Sequence, residues 1–141
     1  MRLRIESVSK LREAGWFRHA LGYGVFGVLQ LVIDWACFVG LTAVGVPTPV
    51  ANPIARAVGA LFGYLGNGRY TFRDAEGRSR VGGASLRRFI ALWLALTVVS
   101  TAAMWGIETG GSLKLAWAAK PVVDVLLAGV AFLISRAWVY R

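Results

Sequence analysis

Residues 20–44 read ALGYGVFGVLQLVIDWACFVGLTAV and carry a single charged side chain, that of Asp34. About 20 mostly apolar residues in helical form cross the hydrocarbon core of a bilayer. The run ends at an uncharged Pro/Gly turn, Gly45–Pro49, which predicts a tight helical hairpin. Three more apolar runs follow, at about Val50–Tyr70, Phe89–Ile107 and Leu115–Val139. The sequence therefore predicts an all-α integral membrane protein with four transmembrane helices.

The composition favours lipid over water as the surroundings of this chain. Of its 141 residues, 57% are hydrophobic and 16% are charged, and the mean hydropathy is +0.59. A soluble domain of this size has too little interior to bury so much apolar surface. The net charge of +9 lies at the ends of apolar runs rather than on a polar face. It indicates anionic membrane lipids as partners, and not nucleic acid.

The basic residues also predict the orientation. Thirteen of the 16 Lys and Arg residues fall in the N-terminal tail, in or beside the central loop, or at the C-terminus. Basic residues gather on the cytoplasmic side of membrane proteins, so both termini and the central loop are expected in the cytosol. Residues 1–15 are predicted to be either a disordered basic tail or an interfacial helix. No cleavable signal pattern precedes the first span, which is expected to stay in the mature chain.

An internal repeat organises the spans. A shift of 68 residues places Pro53 on Pro121, and Tyr70–Arg73 on Trp138–Arg141. Each half contains two spans and so has the same orientation, which predicts two parallel-repeat hairpins related by an axis along the membrane normal. The membrane domain is expected to cover residues 16–141, with repeats at about 16–73 and 86–141.

Short motifs mark the ends of these repeats. Arg88-Phe89 opens the second half, Asn67–Arg73 closes the first, Ser135–Arg141 closes the second, and the pair Ala119-Lys120 lies near the start of the last span. In layout and motifs the chain resembles the GtrA-like family of small four-span membrane proteins. The resemblance implies translocation (flipping) of a polyprenyl-phosphate-linked sugar across the inner, cytoplasmic membrane for cell-envelope polysaccharide glycosylation. A membrane glycosyltransferase is then a further expected partner.

Charged residues within the spans are the first candidate site, because they are costly in a membrane and usually functional or paired. They are Asp34, Arg56, Lys120 and Asp124, with Gln30 one turn before Asp34. Three interpretations stay open at this point. Either the charges form mutually neutral ion pairs that hold the helices together, or they line a polar cavity in which Arg56 or Lys120 exchanges an acid for a lipid phosphate. A third interpretation gives an acid a proton- or ion-coupled role.

A second candidate set lies at the predicted cytosolic ends of spans two and four. It comprises Asn67, Arg69, Arg73 and Arg136, together with Arg141 and the nearby aromatic residues. This set is either an ordinary interfacial anchor or a docking point for the phosphate of a lipid donor made in the cytosol. The two sets together suggest an inner site and a deeper one.

Other motifs predict little chemistry. Gly22–Gly27 spells G-x-G-x-x-G, but no strand precedes it, so it is interpreted as helix packing, as is Gly59-x-x-x-Gly63. No nucleophile–base set, metal cluster or cofactor motif is evident, so enzyme activity is not expected. The small interior of four helices predicts a homodimer or a groove open to lipid. Two rival functions remain: a membrane scaffold that recruits a glycosyltransferase, and a small proton-coupled exporter of cations.

Overall fold

A computed structural model describes the backbone of residues 2–70 and 83–139. The side chains of residues 64, 66–70, 85, 136 and 139, and most side chains before residue 24, lie outside this description. The helices are α1 (Arg2–Ala43), α2 (Thr48–Tyr70), α3 (Gly83–Gly110) and α4 (Leu113–Ile134), and a π-helical turn, Ser135–Val139, follows α4 directly. The described residues contain no strand, and the prediction of an all-α chain is confirmed.

Three segments are long and apolar enough to cross a membrane. They are Gly24–Ala43 in α1, Leu86–Gly110 in α3 and Leu113–Ile134 in α4. The chain is therefore a membrane protein. Helix α2 is long enough to cross as well, at 23 residues, but it carries Arg56 and an internal proline, Pro53. Its crossing, and the cytosolic position of both termini, stay predictions.

Helix α1 is much longer than its apolar part. Its 42 residues span about 63 Å at ~1.5 Å per residue, roughly twice the ~30 Å thickness of a hydrocarbon core. The backbone of residues 2–23 is helical and continuous with the apolar segment. An interfacial position of residues 1–15 stays a prediction.

The first turn is built by a glycine. Gly45 has φ of +93°, which glycine adopts without the steric cost of a Cβ. Its N–H donates to Thr42 O at 3.1 Å, and the N–H of Val46 donates to Leu41 O at 3.0 Å. These two bonds form a Schellman motif, which satisfies the last carbonyls of α1. At the other turn, Ser112 Oγ accepts from the N–H of Leu115 at 3.2 Å and caps α4.

The helices surround a common axis in chain order. Helix α1 packs on α2 and α4, and helix α3 packs on the same two neighbours. Helices α2 and α4 therefore face each other across the diagonal of the bundle. In the described part of the chain their backbones do not approach closely, and only long side chains join them.

Small residues bring α1 and α2 together. A Cβ added to Gly59 would lie 3.0 Å from Asp34 Cβ and 3.1 Å from Gln30 O, and one added to Gly63 would collide with Gln30 Oε1. The predicted packing role of Gly59 and Gly63 is confirmed. For Gly24 and Gly27 a packing role stays a prediction, since none of the described residues lies within 4 Å of a Cβ added at either position.

The two ends of the bundle differ in packing. We call the end with turns 44–47 and 111–112 the short-turn end, and the end near residues 70 and 83 the long-loop end. Towards the short-turn end all four helices share one core, formed by Phe38, Ala51, Ala55, Met104 and Ala116. Towards the long-loop end, the second core cluster of the described residues joins only α3 and α4, through Leu92 and Leu96. The bundle is thus tightly closed at the short-turn end.

Candidate functional site

The four charged residues of the predicted spans meet inside the helical bundle. Arg56 Nη1 lies 2.9 Å from Asp124 Oδ1, and Lys120 Nζ lies 3.0 Å from Asp124 Oδ2 and 3.0 Å from Asp34 Oδ1. Asp124 thus shares its two oxygens between the two cations, and Lys120 lies between the two acids. We call Asp34, Arg56, Lys120 and Asp124 the charge cluster. Its formal charge is zero.

Neutral polar side chains complete the cluster, and sequence reasoning missed them. Lys120 Nζ donates to Asn52 Oδ1 at 2.8 Å, and Asn52 Nδ2 donates to the hydroxyls of Ser100 and Thr101. Arg56 Nε donates to Thr97 Oγ1 at 3.1 Å. Helix α3 contributes no charge here, but its hydroxyls accept hydrogen bonds from Asn52 and Arg56 and so connect α3 to α2. A buried amide or ammonium group needs such partners, because leaving it unpaired is costly.

The repeat itself contained the missing signal. Asn52 and Lys120 are separated by 68 residues, as are Arg56 and Asp124, and each pair is in direct contact. Residues at equivalent positions of two halves meet when they lie on the axis that relates those halves. The contacts therefore fit a pseudo-two-fold axis between α2 and α4. The repeat could therefore have identified Asn52 as a site residue. Asn52 precedes Arg56 by one helical turn, just as Lys120 precedes Asp124.

The two cations differ in access. The Lys120 side chain has no exposed surface, and its ammonium also lies 5.1 Å from the centre of the Phe38 ring. The Arg56 side chain is 12% exposed. Its Nε and Nη1 have the partners given above, while among the described residues Nη2 has none. Arg56 is therefore the cation of the cluster with a donor group left for a further ligand.

Asp34 is held less firmly than Asp124. Its Oδ1 lies 3.0 Å from Lys120 Nζ, but the geometry there is not that of a hydrogen bond, and within the described residues this buried oxygen accepts none. The Asp34 side chain is 9% exposed, against 3% for Asp124. Asp34 therefore has the weaker partner set and the better access.

The other predicted site residues are placed differently. Gln30 is half-buried, and its Oε1 lies against Gly63, on the long-loop side of the cluster. The side chains of Asn67, Arg69 and Arg136, and all of Arg73, lie outside the described part of the chain. In the part that is described, no three His, Cys, Asp or Glu side chains lie close enough to hold a metal ion.

One contact is visible at the long-loop end. Arg88 Nη1 donates to Trp138 O at 3.1 Å, and the Arg88 guanidinium lies 5.9 Å from the centre of the Trp138 ring. Arg88 is at the start of α3, and Trp138 is in the π-helical turn after α4. Arg88 and Trp138 thus join the two helices of the second hairpin at this end.

Comparison with known protein families identifies the family of this chain. The family model described as GtrA/DPMS, transmembrane domain, matches residues 22–140. The chain belongs to this family. Comparison with the curated proteins and with the solved structures gave no match. The GtrA/DPMS transmembrane domain family is associated with membrane functions that involve polyprenyl-phosphate sugars. The matched residues include the whole charge cluster.

In this GtrA/DPMS-family domain, a hydrogen bond beside the charge cluster joins α1 to a carbonyl of α4 that Pro121 leaves without a helical donor. Pro121 has no N–H, so the carbonyl of Trp117, four residues earlier, lacks its usual helical donor. The indole Nε1 of Trp35 in α1 donates to that carbonyl at 2.8 Å. In turn, the indole Nε1 of Trp117 donates to Thr42 Oγ1 at 2.8 Å. These two bonds cross the α1–α4 interface on the short-turn side of the cluster.

Replacing Trp35 by Phe is expected to lower the free energy of unfolding by about 1–2 kcal/mol, because the Trp117 carbonyl then has no donor. In a Pro121→Ala background the same change is expected to cost less, since the backbone N–H of the introduced alanine supplies the missing helical bond. Thermal unfolding in detergent of the four chains of this double-mutant cycle measures the difference. Equal costs in both backgrounds would contradict the role given to the indole.

Proposed function

We propose that this protein moves a polyprenyl-phosphate-linked sugar between the leaflets of the cytoplasmic membrane, for glycosylation of a cell-envelope polysaccharide. The physical obstacle is the head group. A sugar phosphate that enters hydrocarbon loses its hydration, and an unpaired charge there is very costly. A transporter lowers this cost with polar groups inside the membrane, while the prenyl chain stays in lipid.

The observation that carries the proposal is the partly exposed guanidinium of Arg56. It has a free Nη2 among the described contacts, and Asp124, its acid partner, is shared with Lys120. The positive charge of Arg56 is thus only partly compensated. A guanidinium binds phosphate oxygens with parallel N–H donors, so Nη2 is well suited to a phosphodiester.

Lys120 has a supporting role in this proposal. It is fully buried with three partners, so a phosphate reaches it only after those contacts break. Its positive charge holds Asp124 and Asp34 in place. Because Lys120 also pairs with Asp124, the negative charge of Asp124 is shared and does not fully neutralise Arg56. The structural and the ligand-binding interpretations of the cluster are therefore compatible, because different cations serve them.

The uneven packing of the bundle supports a path to the cluster. All four helices share an apolar core on its short-turn side, whereas beyond it the described apolar core joins only α3 to α4, and α1 contacts α2 through Gln30 and Gly63. A head group that approaches from the long-loop end meets Arg56 before it meets the shared core. If the basic residues face the cytosol, as the sequence predicts, this is the side on which Asn67, Arg69, Arg73 and Arg136 receive the donor lipid. A homodimer, which the small interior of four helices predicts, completes the proposal.

Reconstitution tests this function. Vesicles that contain the protein and a radiolabelled prenyl-phosphate glucose are treated with periodate, which does not cross the bilayer and oxidises only sugar in the outer leaflet. We expect nearly all of the label to become accessible within the assay. In protein-free vesicles the inner-leaflet share should stay protected. The same protection in both preparations would overturn the proposal.

One observation favours a second function. Each cation of the cluster is already paired with an aspartate, and the formal charges cancel. Such a cluster also suits a non-transporting scaffold that recruits a membrane glycosyltransferase through its basic loop. In that case vesicles show no lipid movement, while replacing the loop residues Arg78 and Arg80 by Ala releases the enzyme from the membrane complex.

A further inference from the structure

The charge balance of the cluster leads to an inference that rests on the proposed function. The cluster holds two cations and two carboxylates in an interior closed on one side by apolar packing. A phosphodiester that binds Arg56 adds one negative charge. An unbalanced charge in such surroundings is costly, so binding is favoured when a positive charge arrives with the lipid.

We propose that Asp34 takes up one proton from water when a prenyl phosphodiester binds Arg56. The proton forms an O–H bond on the Asp34 carboxylate, and the phosphate replaces that carboxylate as the second negative charge of the cluster. The sum of charges returns to zero. The lipid then crosses together with one proton, and the transfer moves no net charge.

Asp34 is the acceptor because of its contacts. The charged groups that face it are Lys120 and Asp124 from α4 and Arg56 from α2. Its ion pair with Lys120 lacks hydrogen-bond geometry, and its side chain retains 9% exposure. Asp124, in contrast, has a cation within 3.0 Å of each oxygen and accepts a hydrogen bond from Arg56. Protonation of Asp34 leaves Lys120 with Asp124 and Asn52 as partners, so the cluster keeps its shape.

The first test needs no variant. The purified protein, in weakly buffered detergent solution with a pH-sensitive dye, is mixed with a short-chain, water-soluble prenyl-phosphate glucose. We expect uptake of one proton for each lipid bound. Prenyl alcohol glucoside, which lacks the phosphate, serves as the control and should cause none. Binding of the phosphate lipid without proton uptake would overturn the inference while leaving the proposed function intact.

The second test uses the vesicle assay. Since binding takes up a proton, movement of the lipid should become faster as the pH falls, by at most about tenfold per pH unit where lipid binding limits the rate. D34N imitates the protonated acid. It should move lipid with no pH dependence, while E108Q, at the far end of α3, should keep the wild-type profile. A pH-independent wild type, or a D34N chain with the wild-type profile, would count against Asp34. If the wild-type protein moved no lipid at any pH, the result would instead count against the proposed function.

Discussion

Replacing Arg56 by Ala is expected to slow the movement of prenyl-phosphate glucose between leaflets by about ten- to hundredfold, the equivalent of losing charge-assisted hydrogen bonds worth ~1.5–3 kcal/mol. The reason is that the Arg56 side chain is partly exposed and its Nη2 has no partner among the described residues. The periodate assay in vesicles measures the rate. Arg56→Lys keeps the charge but loses the planar fork, and should retain an intermediate rate.

Two further variants separate this effect from misfolding. Arg56→Gln combined with Asp124→Asn removes one charge of each sign, so the cluster stays neutral with Lys120 and Asp34 as its remaining pair. This double variant should unfold near the wild-type temperature. Its rate of lipid movement should nevertheless be reduced, as it is in Arg56→Ala. Lys114→Ala, at an exposed position near the start of α4, removes a cation outside the cluster and should behave as wild type. A neutral double variant with the wild-type rate would exclude Arg56 as the phosphate ligand.

Much of the charge cluster was predictable because the cost of ions in lipid leaves few alternatives. Asp34, Arg56, Lys120 and Asp124 stood out within apolar runs, and opposite charges confined to one small bundle are driven to pair. The i,i+4 spacing of Lys120 and Asp124 placed them on one helical face, and they form an ion pair at 3.0 Å. The length and apolarity of α1, α3 and α4 similarly predicted membrane crossing.

Other features required coordinates. Serine and threonine are common in apolar helices, so nothing in the sequence around Ser100 and Thr101 marked these two residues as partners of Asn52. The difference in access between Lys120 and Arg56 depends on where neighbouring helices pack, and helix periodicity does not determine that. For the same reason, the glycines at 59 and 63 pack closely on α1, whereas none of the described residues lies against those at 24 and 27.

Replacing Lys120 by Met is expected to cause the largest loss of stability, about 3–5 kcal/mol, the usual cost of removing one partner from a buried ion pair. Met has a similar length, so the change removes the charge and little volume. Asp34 then lacks its cation, Asp124 keeps only Arg56, and Asn52 Oδ1 lacks a donor. Thermal unfolding in detergent, followed by circular dichroism, should show a clear drop in the midpoint.

A second substitution distinguishes the loss of charge from a loss of packing. Lys120→Met combined with Asp34→Asn restores a neutral cluster, in which Arg56 and Asp124 remain paired at 2.9 Å. This double variant should recover most of the lost stability. If packing around the Lys120 stem were decisive, the second change would restore nothing, since it leaves the Met side chain in place. A single Lys120→Met chain as stable as wild type would mean that water already reaches the cluster and screens its acids. Arg56 would then require no cationic neighbour to keep its positive charge available for a phosphate.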